Sequence, residues 1–229
     1  MRTYEDSREL AKTIVEVGTR MDKGMAALIT DMNQPLGRNA GNALEIIETV
    51  EALAGKGSDD LMEVTMALCA QMLVLCNKAE DHSDAVNSLK GHIDSGAALE
   101  KFKEMVKLHG GDPQSIDDVS RLPSARIKKE YSAPQNGYLA EVDAEKIGKA
   151  CVILGAGRSK TDDKIDFAVG ISGIPKTGDY AEEKQPLLTI HANDEKRLDE
   201  AMKLVEEAFS FSEEPVTPPK FIKETILPG

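Results

Sequence analysis

The sequence predicts a mixed α/β fold of the α+β type, in which a mainly helical block precedes a β-rich block. Apolar residues recur at helical spacing up to about residue 108, and only one short continuous apolar run, at 25–29, interrupts them. After about residue 126, short β-like segments alternate with Gly, Asn and Asp turns. The chain has 229 residues, 41% hydrophobic and 30% charged, so it can bury a sizeable core.

The helical block begins with a predicted helix over 6–19, in which Leu10 and Ile14 belong to an apolar stripe. The run Met25–Ile29 is predicted to be a buried strand, and to be parallel because it follows a helix. Further helices are predicted over 43–53, 59–79, 82–94 and 96–108. A single strand without partners is not a fold. Either these helices pack as a bundle, or the other strands of the sheet lie outside this chain.

The β-rich block follows an irregular polar stretch over 112–125, where the sequence predicts a domain boundary. β-like segments are predicted near 126–132, 137–142, 150–154, 166–172 and 186–191. An amphipathic helix is predicted over 194–208, with Leu198 and Val205 on its apolar face. The tail after this helix is Pro-rich and is expected to be extended.

Charge and cysteine usage exclude several classes of protein. The chain has 28 Lys and Arg against 40 Asp and Glu, which gives a formal net charge of −12. A nucleic-acid partner is not expected, because neutralising phosphates requires clustered Lys and Arg. A membrane partner is not expected either, because no apolar run approaches the roughly 20 residues of a membrane-spanning helix. Three cysteines without metal-ligand spacing, and an N-terminus without a signal-peptide pattern, predict reduced thiols and a cytoplasmic location.

The loop DMNQPLGRNAGN, at 31–42, is the first candidate site. It follows the predicted strand and precedes a helix that carries Glu45 and Glu48. Carbonyl groups of a Gly- and Asn-rich loop, together with one helix carboxylate, can bind a hard cation such as K+, Ca2+ or Mg2+. The alternative is an ordinary strand–loop–helix connection with solvated glutamates.

The Gly-rich loop LGAGRSKT, at 154–161, is the second candidate. Its glycines would let backbone N–H groups approach an anion, and Arg158 could donate two hydrogen bonds to a phosphate. The spacing of its residues is not that of a P-loop. The alternative is a mobile surface loop between strands.

No catalytic residue is assigned from the sequence patterns. The histidines, at 82, 92, 109 and 191, do not cluster, and no H-x-x-x-H or H-E-x-x-H pattern predicts a metal site. The sequence also lacks the G-x-S-x-G elbow. A hydrolase triad and a histidine-bound metal are therefore without support.

Six segments, in order and spread over nearly the whole chain, carry a family resemblance. They are ALITDMNQPLGRNAGNALEIIETVEAL, VTMALCAQML, GAALEKFKEMVKLHGGD, NGYLAEVDAEKIGKACVILGAGR, IDFAVGI and GDYAEEKQPLLTIHA. Together they resemble thymidine phosphorylases and pyrimidine-nucleoside phosphorylases. The resemblance implies a pentosyltransferase of pyrimidine salvage and catabolism. Such an enzyme converts a pyrimidine nucleoside and phosphate into the free base and a pentose 1-phosphate.

The resemblance also implies an architecture of which this chain holds one part. Family members have a small helical domain and a large α/β domain, and they are usually homodimers. We expect 1–120 to be a truncated remainder of the large α/β domain, mostly helical with one or few strands. We expect 126–229 to be the β-rich C-terminal α+β domain. The lone strand would then belong to a sheet whose neighbours lie in the missing N-terminal half.

The resemblance assigns few site residues to this chain. The segment Lys-His-Ser-Thr-Gly-Gly, which grips phosphate, and the residues that hold the pyrimidine lie in the half that is not matched. We therefore expect the chain alone to be inactive, unless a separate N-terminal half completes it. Leu36, Asn39 and Glu48 match ligands of a monovalent cation (K+), with further ligands missing. Gly155, Gly157 and Arg158 resemble the family's mobile loop near the cleft.

Two other interpretations remain open. One is a non-catalytic interaction or scaffold protein that has kept the C-terminal domain. The other is a related phosphorylase that acts on nucleoside monophosphates, because the specificity residues lie outside the matched region. The missing neighbours of the strand also predict a difference in stability. Because an exposed sheet edge leaves backbone groups unpaired, we expect 1–120 to be less stable in isolation than 126–215.

Overall fold

A computed structural model of the protein describes residues 3–158 and 160–228. Within them the helices are α1 (Tyr4–Arg20), α2 (Asn42–Glu51), α3 (Asp59–Leu75), α4 (His82–Asp94), α5 (Ala97–Leu108), α6 (Gln114–Asp117), α7 (Ala144–Leu154) and α8 (Glu195–Glu207). The strands are β1 (Ala27–Thr30), β2 (Asn39–Ala40), β3 (Ile127–Ser132), β4 (Gly137–Val142), β5 (Gly170–Ser172), β6 (Tyr180–Ala181), β7 (Pro186–Ala192), β8 (Phe209–Ser212) and β9 (Ile222–Ile226). One π-helical turn, Ala52–Lys56, continues α2.

The chain forms two compact units that alternate along the sequence. Unit 1 contains the chain up to Asp31, Asp59–Ser95 and the chain from Pro219. Unit 2 contains Met32–Ser58 and Gly96–Pro218. The division into domains at 1–120 and 126–229 was inferred from the family resemblance, and it stays a prediction.

In unit 1 the predicted strand forms as β1, and its neighbour is β9 from the Pro-rich tail. The two strands are antiparallel, with Ala27 opposite Ile226 and Ile29 opposite Glu224. The prediction of a parallel strand is therefore wrong for this pair. The preceding helix suggested a parallel sheet, but the neighbour comes from the far end of the chain and runs in the opposite direction.

The first predicted helix is confirmed as α1, which packs on this two-stranded sheet. Val15 lies in a small apolar cluster with Ile29 and Ile226. Arg8 donates hydrogen bonds of 2.6 and 2.9 Å to the Glu224 carboxylate, and the Tyr4 hydroxyl donates another at 2.6 Å. These hydrogen bonds, with that from Arg8 the largest cause, lower the pKa of Glu224. The carboxylate stays charged and links α1 to β9.

Unit 2 is built on two antiparallel sheets. One has the strand order β2–β5–β7–β3, and the other has the order β6–β4–β8. The strands predicted at 126–132, 137–142 and 186–191 are confirmed to within one residue at each end. The strand predicted at 166–172 is shorter and begins only at Gly170.

The segment at 150–154 was expected to be β-like, and this prediction is wrong because the residues close helix α7. The helix begins at Asp143, whose carboxylate accepts hydrogen bonds from the N–H groups of the first turn. Its buried positions, Ile147, Ala150, Cys151 and Leu154, follow helical spacing. Burial, with a smaller contribution from Glu45, raises the pKa of Cys151 to about 12, so its thiol is a neutral core group.

The main apolar core belongs to unit 2 and joins its sheets to α7 and α8. Nineteen buried residues form one cluster, in which Leu139, Ile171 and Ile190 have no measurable exposure. The predicted helix over 194–208 is confirmed as α8, and it contributes Leu198 and Val205 to this cluster. Unit 2 therefore has a rigid frame on which loops can be positioned.

None of the helices in the described residues combines the length and the apolar character that crossing a bilayer requires.

The difference between the cores predicts a difference in local stability. The apolar cluster that joins α1 to the sheet of unit 1 has three buried residues, against nineteen in unit 2. We expect backbone amides of β1 and β9 to exchange with solvent at least about tenfold faster than those of β5 and β7. Native-state hydrogen exchange of the purified chain measures this, and equal protection of both sheets would contradict it.

Candidate functional site

The first candidate loop is held against the segment that connects β5 to β6. We call residues 34–39 the carbonyl loop and residues 173–179 the connecting segment. The N–H group of Ile174 donates a hydrogen bond of 2.8 Å to the carbonyl of Arg38. The N–H group of Thr177 donates one of 3.1 Å to Oε1 of Gln34. Both ends of the carbonyl loop are therefore attached to the connecting segment.

A buried lysine joins the same two elements. Lys176, in the connecting segment, is only 8% exposed. Its ammonium donates a hydrogen bond of 2.6 Å to the carbonyl of Pro35 and another to the carbonyl of Gly37. Because a buried charge is stable only with polar partners, these carbonyls compensate for the lost hydration of the ammonium.

The carboxylate of Glu48 reaches the carbonyl loop from helix α2. Glu48 is 8% exposed, and its Oε1 accepts a hydrogen bond of 2.6 Å from the backbone N–H of Arg38. Gly37 has a φ of +72°, and a Cβ atom at this position would lie 2.6 Å from Oε2 of Glu48. Glycine is therefore required here both by the backbone conformation and by the approach of the carboxylate.

The structure brings together two of the three residues predicted to bind a cation. Asn39 and Glu48 line the same cavity, which has a volume of about 510 Å3. Leu36 is 44% exposed and is not among the residues that line it. The Arg38 carbonyl faces the connecting segment. Oδ1 of Asn39 accepts a hydrogen bond of 3.3 Å from the N–H group of Gly173, at the start of the same segment.

The groups at this site that could hold a cation are oxygen atoms. A K+ ion would rely on backbone carbonyls and the single carboxylate of Glu48, which is the oxygen chemistry that such ions prefer. The described part of the chain contains no group of three or more His, Cys, Asp or Glu side chains that could hold a metal ion. The assignment of Leu36, Asn39 and Glu48 as cation ligands stays a prediction.

The cavity beside Glu48 carries charges of both signs. Arg38 and Lys56 contribute cationic groups to its lining, and Glu51 adds a second carboxylate. Ser58 also lines it, and the Oγ of this serine is buried without a hydrogen-bond partner in the described residues. The cavity thus offers both donors and acceptors to whatever occupies it.

A serine–histidine pair lies at the same cavity and was missed by the sequence analysis. Oγ of Ser172, which lines the cavity, is 2.8 Å from Nε2 of His191. His191 is 8% exposed. Burial, and to a lesser extent the charge of Lys128, lowers its pKa, so the imidazole is neutral at pH 7. The residues are 19 apart in sequence and meet only because β5 pairs with β7, a contact that no local pattern reveals.

The second candidate loop begins as the C-terminal cap of α7. Gly155 has a left-handed conformation (φ +106°), and its N–H group bonds to carbonyls of the last helical turn. Gly155 and Gly157 line a cavity of about 370 Å3, together with Arg197 from α8. Arg158 is exposed. Ser159 lies outside the described residues. A mobile loop that contacts a phosphate stays a prediction.

Comparison with protein families defines the class of the chain. Residues 1–99 match the model described as "Glycosyl transferase family, a/b domain". Residues 138–212 match the model described as "Pyrimidine nucleoside phosphorylase C-terminal domain". The two matched domains place the chain in the class of the nucleoside phosphorylases.

Individual relatives make the assignment narrower. The chain is 45% identical over 218 residues to the pyrimidine-nucleoside phosphorylase of Staphylococcus aureus strain bovine RF122 / ET3-1. It is 44% identical to the proteins of that name from strains USA300 and NCTC 8325 / PS 47. Each match covers 95% of this chain and 50% of the relative, so the chain spans about half the length of the curated relatives it matches. The chain belongs to the pyrimidine-nucleoside phosphorylase family and corresponds to the C-terminal half of these relatives.

The contact between Gly37 and Glu48 can be tested with a matched glycine. Gly96 has a similar φ of +75°, but a Cβ atom there would have nothing within 4 Å. We expect Gly96→Ala to cost about 1 kcal/mol through backbone strain alone. Gly37→Ala should cost at least about 1 kcal/mol more, because it also displaces the Glu48 carboxylate. Urea unfolding measures both values. In chains that also carry Glu48→Ala, the extra cost of Gly37→Ala relative to Gly96→Ala should disappear. Equal costs for the two glycine substitutions in the presence of Glu48 would contradict the contact.

The lowered pKa of His191 predicts a dependence of stability on pH. The unfolded chain binds a proton at this histidine with an ordinary pKa of about 6.5, whereas the folded chain does so only at lower pH. Stability should therefore rise with pH up to about 6.5 and be lost as the pH falls through the window below it. Titration of the imidazole by NMR gives the folded pKa directly. The free energy of unfolding, measured with urea, should change less with pH in His191→Gln but not in the exposed control His92→Gln. A folded pKa above 6.5 would contradict the prediction.

Proposed function

We propose that this chain supplies the C-terminal part of a pyrimidine-nucleoside phosphorylase. The reaction would be the phosphorolysis of thymidine, uridine or deoxyuridine to the free base and a (deoxy)ribose 1-phosphate. The observation that carries the proposal is 45% identity over 95% of the chain to a relative with that name. In this reaction a phosphate oxygen bonds to the anomeric carbon, the glycosidic C–N bond breaks, and its electron pair leaves with the base.

The proposed contribution of this chain is to support the site, and we assign it no catalytic residue. Phosphate and base must be gripped while positive charge develops on the sugar. The family resemblance assigns the residues that bind phosphate and base to the half that this chain does not match. Without them the contacts specific to the transition state are lost, and we expect the chain alone not to turn over.

We further propose that the carbonyl loop holds a K+ ion in the completed enzyme. The backbone carbonyls of Leu36 and Asn39 and the carboxylate of Glu48 would contribute ligands. The burial of Glu48 and its close approach to Gly37 support this assignment, since a buried carboxylate gains from a nearby cation. The ion would supply electrostatic stabilisation next to the substrates.

The partner we propose is the N-terminal half of a pyrimidine-nucleoside phosphorylase, and the completed protein would form the homodimer of that family. A second apolar stripe, on the outer side of helix α1, is consistent with such a partner. Leu10, Ile14, Val17 and Met21 recur at the spacing of a coiled-coil seam and are 45%, 48%, 52% and 65% exposed. The inner side of the helix is covered through Val15. An outer stripe of this size suits a partner that packs on it.

A cytoplasmic location is also proposed. Its support is chemical, because all three cysteines are free thiols and Cys151 is buried in the core. Reduced core thiols are typical of proteins kept in a reducing compartment.

The function is tested by thymine release from thymidine with and without phosphate. We expect no release from the chain alone. We expect phosphate-dependent release when the N-terminal half of a Staphylococcus aureus relative is added, because that half brings the phosphate and base contacts. Phosphate-dependent release by the chain alone would show that the assignment of the catalytic groups is wrong. A complex that forms but stays inactive would favour a non-catalytic interaction protein.

The partner surface is tested by a charge placed in the outer stripe. Ile14→Lys should weaken binding of the N-terminal half at least about tenfold, because it buries an unpaired charge in an apolar contact. Glu16→Lys, on an exposed side of the same helix, is the matched control and should leave the affinity within about twofold. Isothermal titration calorimetry gives both constants. Equal effects of the two variants would mean that the partner does not cover this stripe.

A further inference from the structure

Lys176 has no place in the function proposed above, although it is among the least exposed charged residues of the chain. Its ammonium bonds to the carbonyls of Pro35 and Gly37, which flank Leu36. Its own backbone N–H donates a hydrogen bond of 2.9 Å to Asp179. The lysine is therefore fixed at both ends, by the connecting segment and by the carbonyl loop.

An ammonium ion and a potassium ion compete for the same kind of partner, because both bind carbonyl oxygens. In this loop the ammonium takes residues 35 and 37, whereas the predicted cation ligands are at 36, 39 and 48. The two sets of oxygens do not overlap. The lysine therefore leaves the predicted ligands to the ion, while it holds the two residues that flank one of them, Leu36.

Lys176 and Glu48 carry opposite charges, and both approach Gly37. The ammonium binds the carbonyl of Gly37, and the Glu48 carboxylate packs against its Cα position. Glu48 also holds the next residue through the N–H of Arg38. Groups of opposite charge thus hold consecutive residues of the loop through separate hydrogen bonds, which restricts the backbone between them.

We propose that Lys176 is a positioning residue that holds the carbonyl loop in its ion-binding shape before any ion arrives. The ammonium acts as a built-in cation that orders residues 35–37. An ion that enters a loop already ordered in this way does not have to order it on binding. The part of the inference that concerns the ion rests on the proposed function, whereas the hold on the loop does not.

The hold on the loop can be measured on the chain alone. Lys176→Met keeps the length of the side chain and removes its charge and donors. We expect the backbone amide of Arg38, which bonds to Glu48, to exchange at least about tenfold faster in this variant, while amides of α8 keep their protection. Lys149→Met, an exposed lysine on α7, is the matched control and should change neither. Unchanged protection of Arg38 in Lys176→Met would overturn the proposal.

The effect on the ion is measured in the complex with the N-terminal half, as the rise in melting temperature with KCl at constant ionic strength. Half-saturation should need at least about tenfold more K+ in Lys176→Met than in the unmodified chain, and Lys176→Arg should restore part of the difference. Equal half-saturation in all variants would overturn the proposal. If Lys176→Met does not fold, Lys176→Gln gives both comparisons, because its shorter, uncharged side chain also removes the ammonium from the two carbonyls.

The outcomes separate this inference from the proposed function. Absence of any K+ response in the unmodified complex would refute the cation site, and the exchange of Arg38 would still decide whether Lys176 orders the loop. A normal K+ response with no effect of Lys176→Met would keep the cation site and refute the role of the lysine.

Discussion

The candidate site depends on two buried charges of opposite sign that meet at Gly37. The ammonium of Lys176 and the carboxylate of Glu48 come from different elements of unit 2, and each is about 8% exposed. Neither charge would be stable in this position without hydrogen bonds from the loop between them. The loop in turn takes its backbone shape from those hydrogen bonds, including the one from the Arg38 N–H. A glycine with positive φ completes the arrangement because only it leaves room for the carboxylate.

The sheet of unit 2 makes this arrangement possible. Strand β5 is paired on one side with β2, which ends the carbonyl loop, and on the other side with β7. The same pairing brings Ser172 to His191 and sends the connecting segment back over the loop. Because the sheet packs on a continuous apolar core with α7 and α8, the polar contacts are held on a rigid frame. Ordered loops on such a frame can place backbone oxygens for an ion without a dedicated cluster of acidic side chains.

The sequence predicts the elements better than it predicts their contacts. Helices α4 and α8 and strand β4 follow from local periodicity and turn residues, so their bounds are confirmed closely. The segment 150–154 was assigned wrongly because a short apolar run looks alike in a strand and at the end of a helix. The partner of β1 and the hydrogen bonds of Lys176 join residues more than one hundred positions apart, and no local signal encodes them. The cation ligands were predicted through a family resemblance, because pattern alone favoured an ordinary strand–loop–helix connection.

The most direct test of the account is an anomalous-diffraction measurement on crystals of the chain with the N-terminal half, grown in Rb+ in place of K+. We expect one peak beside Glu48 within reach of the carbonyls of Leu36 and Asn39, with the ammonium of Lys176 still on the carbonyls of Pro35 and Gly37. This result would mean that a built-in cation and a bound cation share one loop through separate oxygens. A complete complex with no peak at Glu48, or with the ion in the place of the ammonium, would contradict the account.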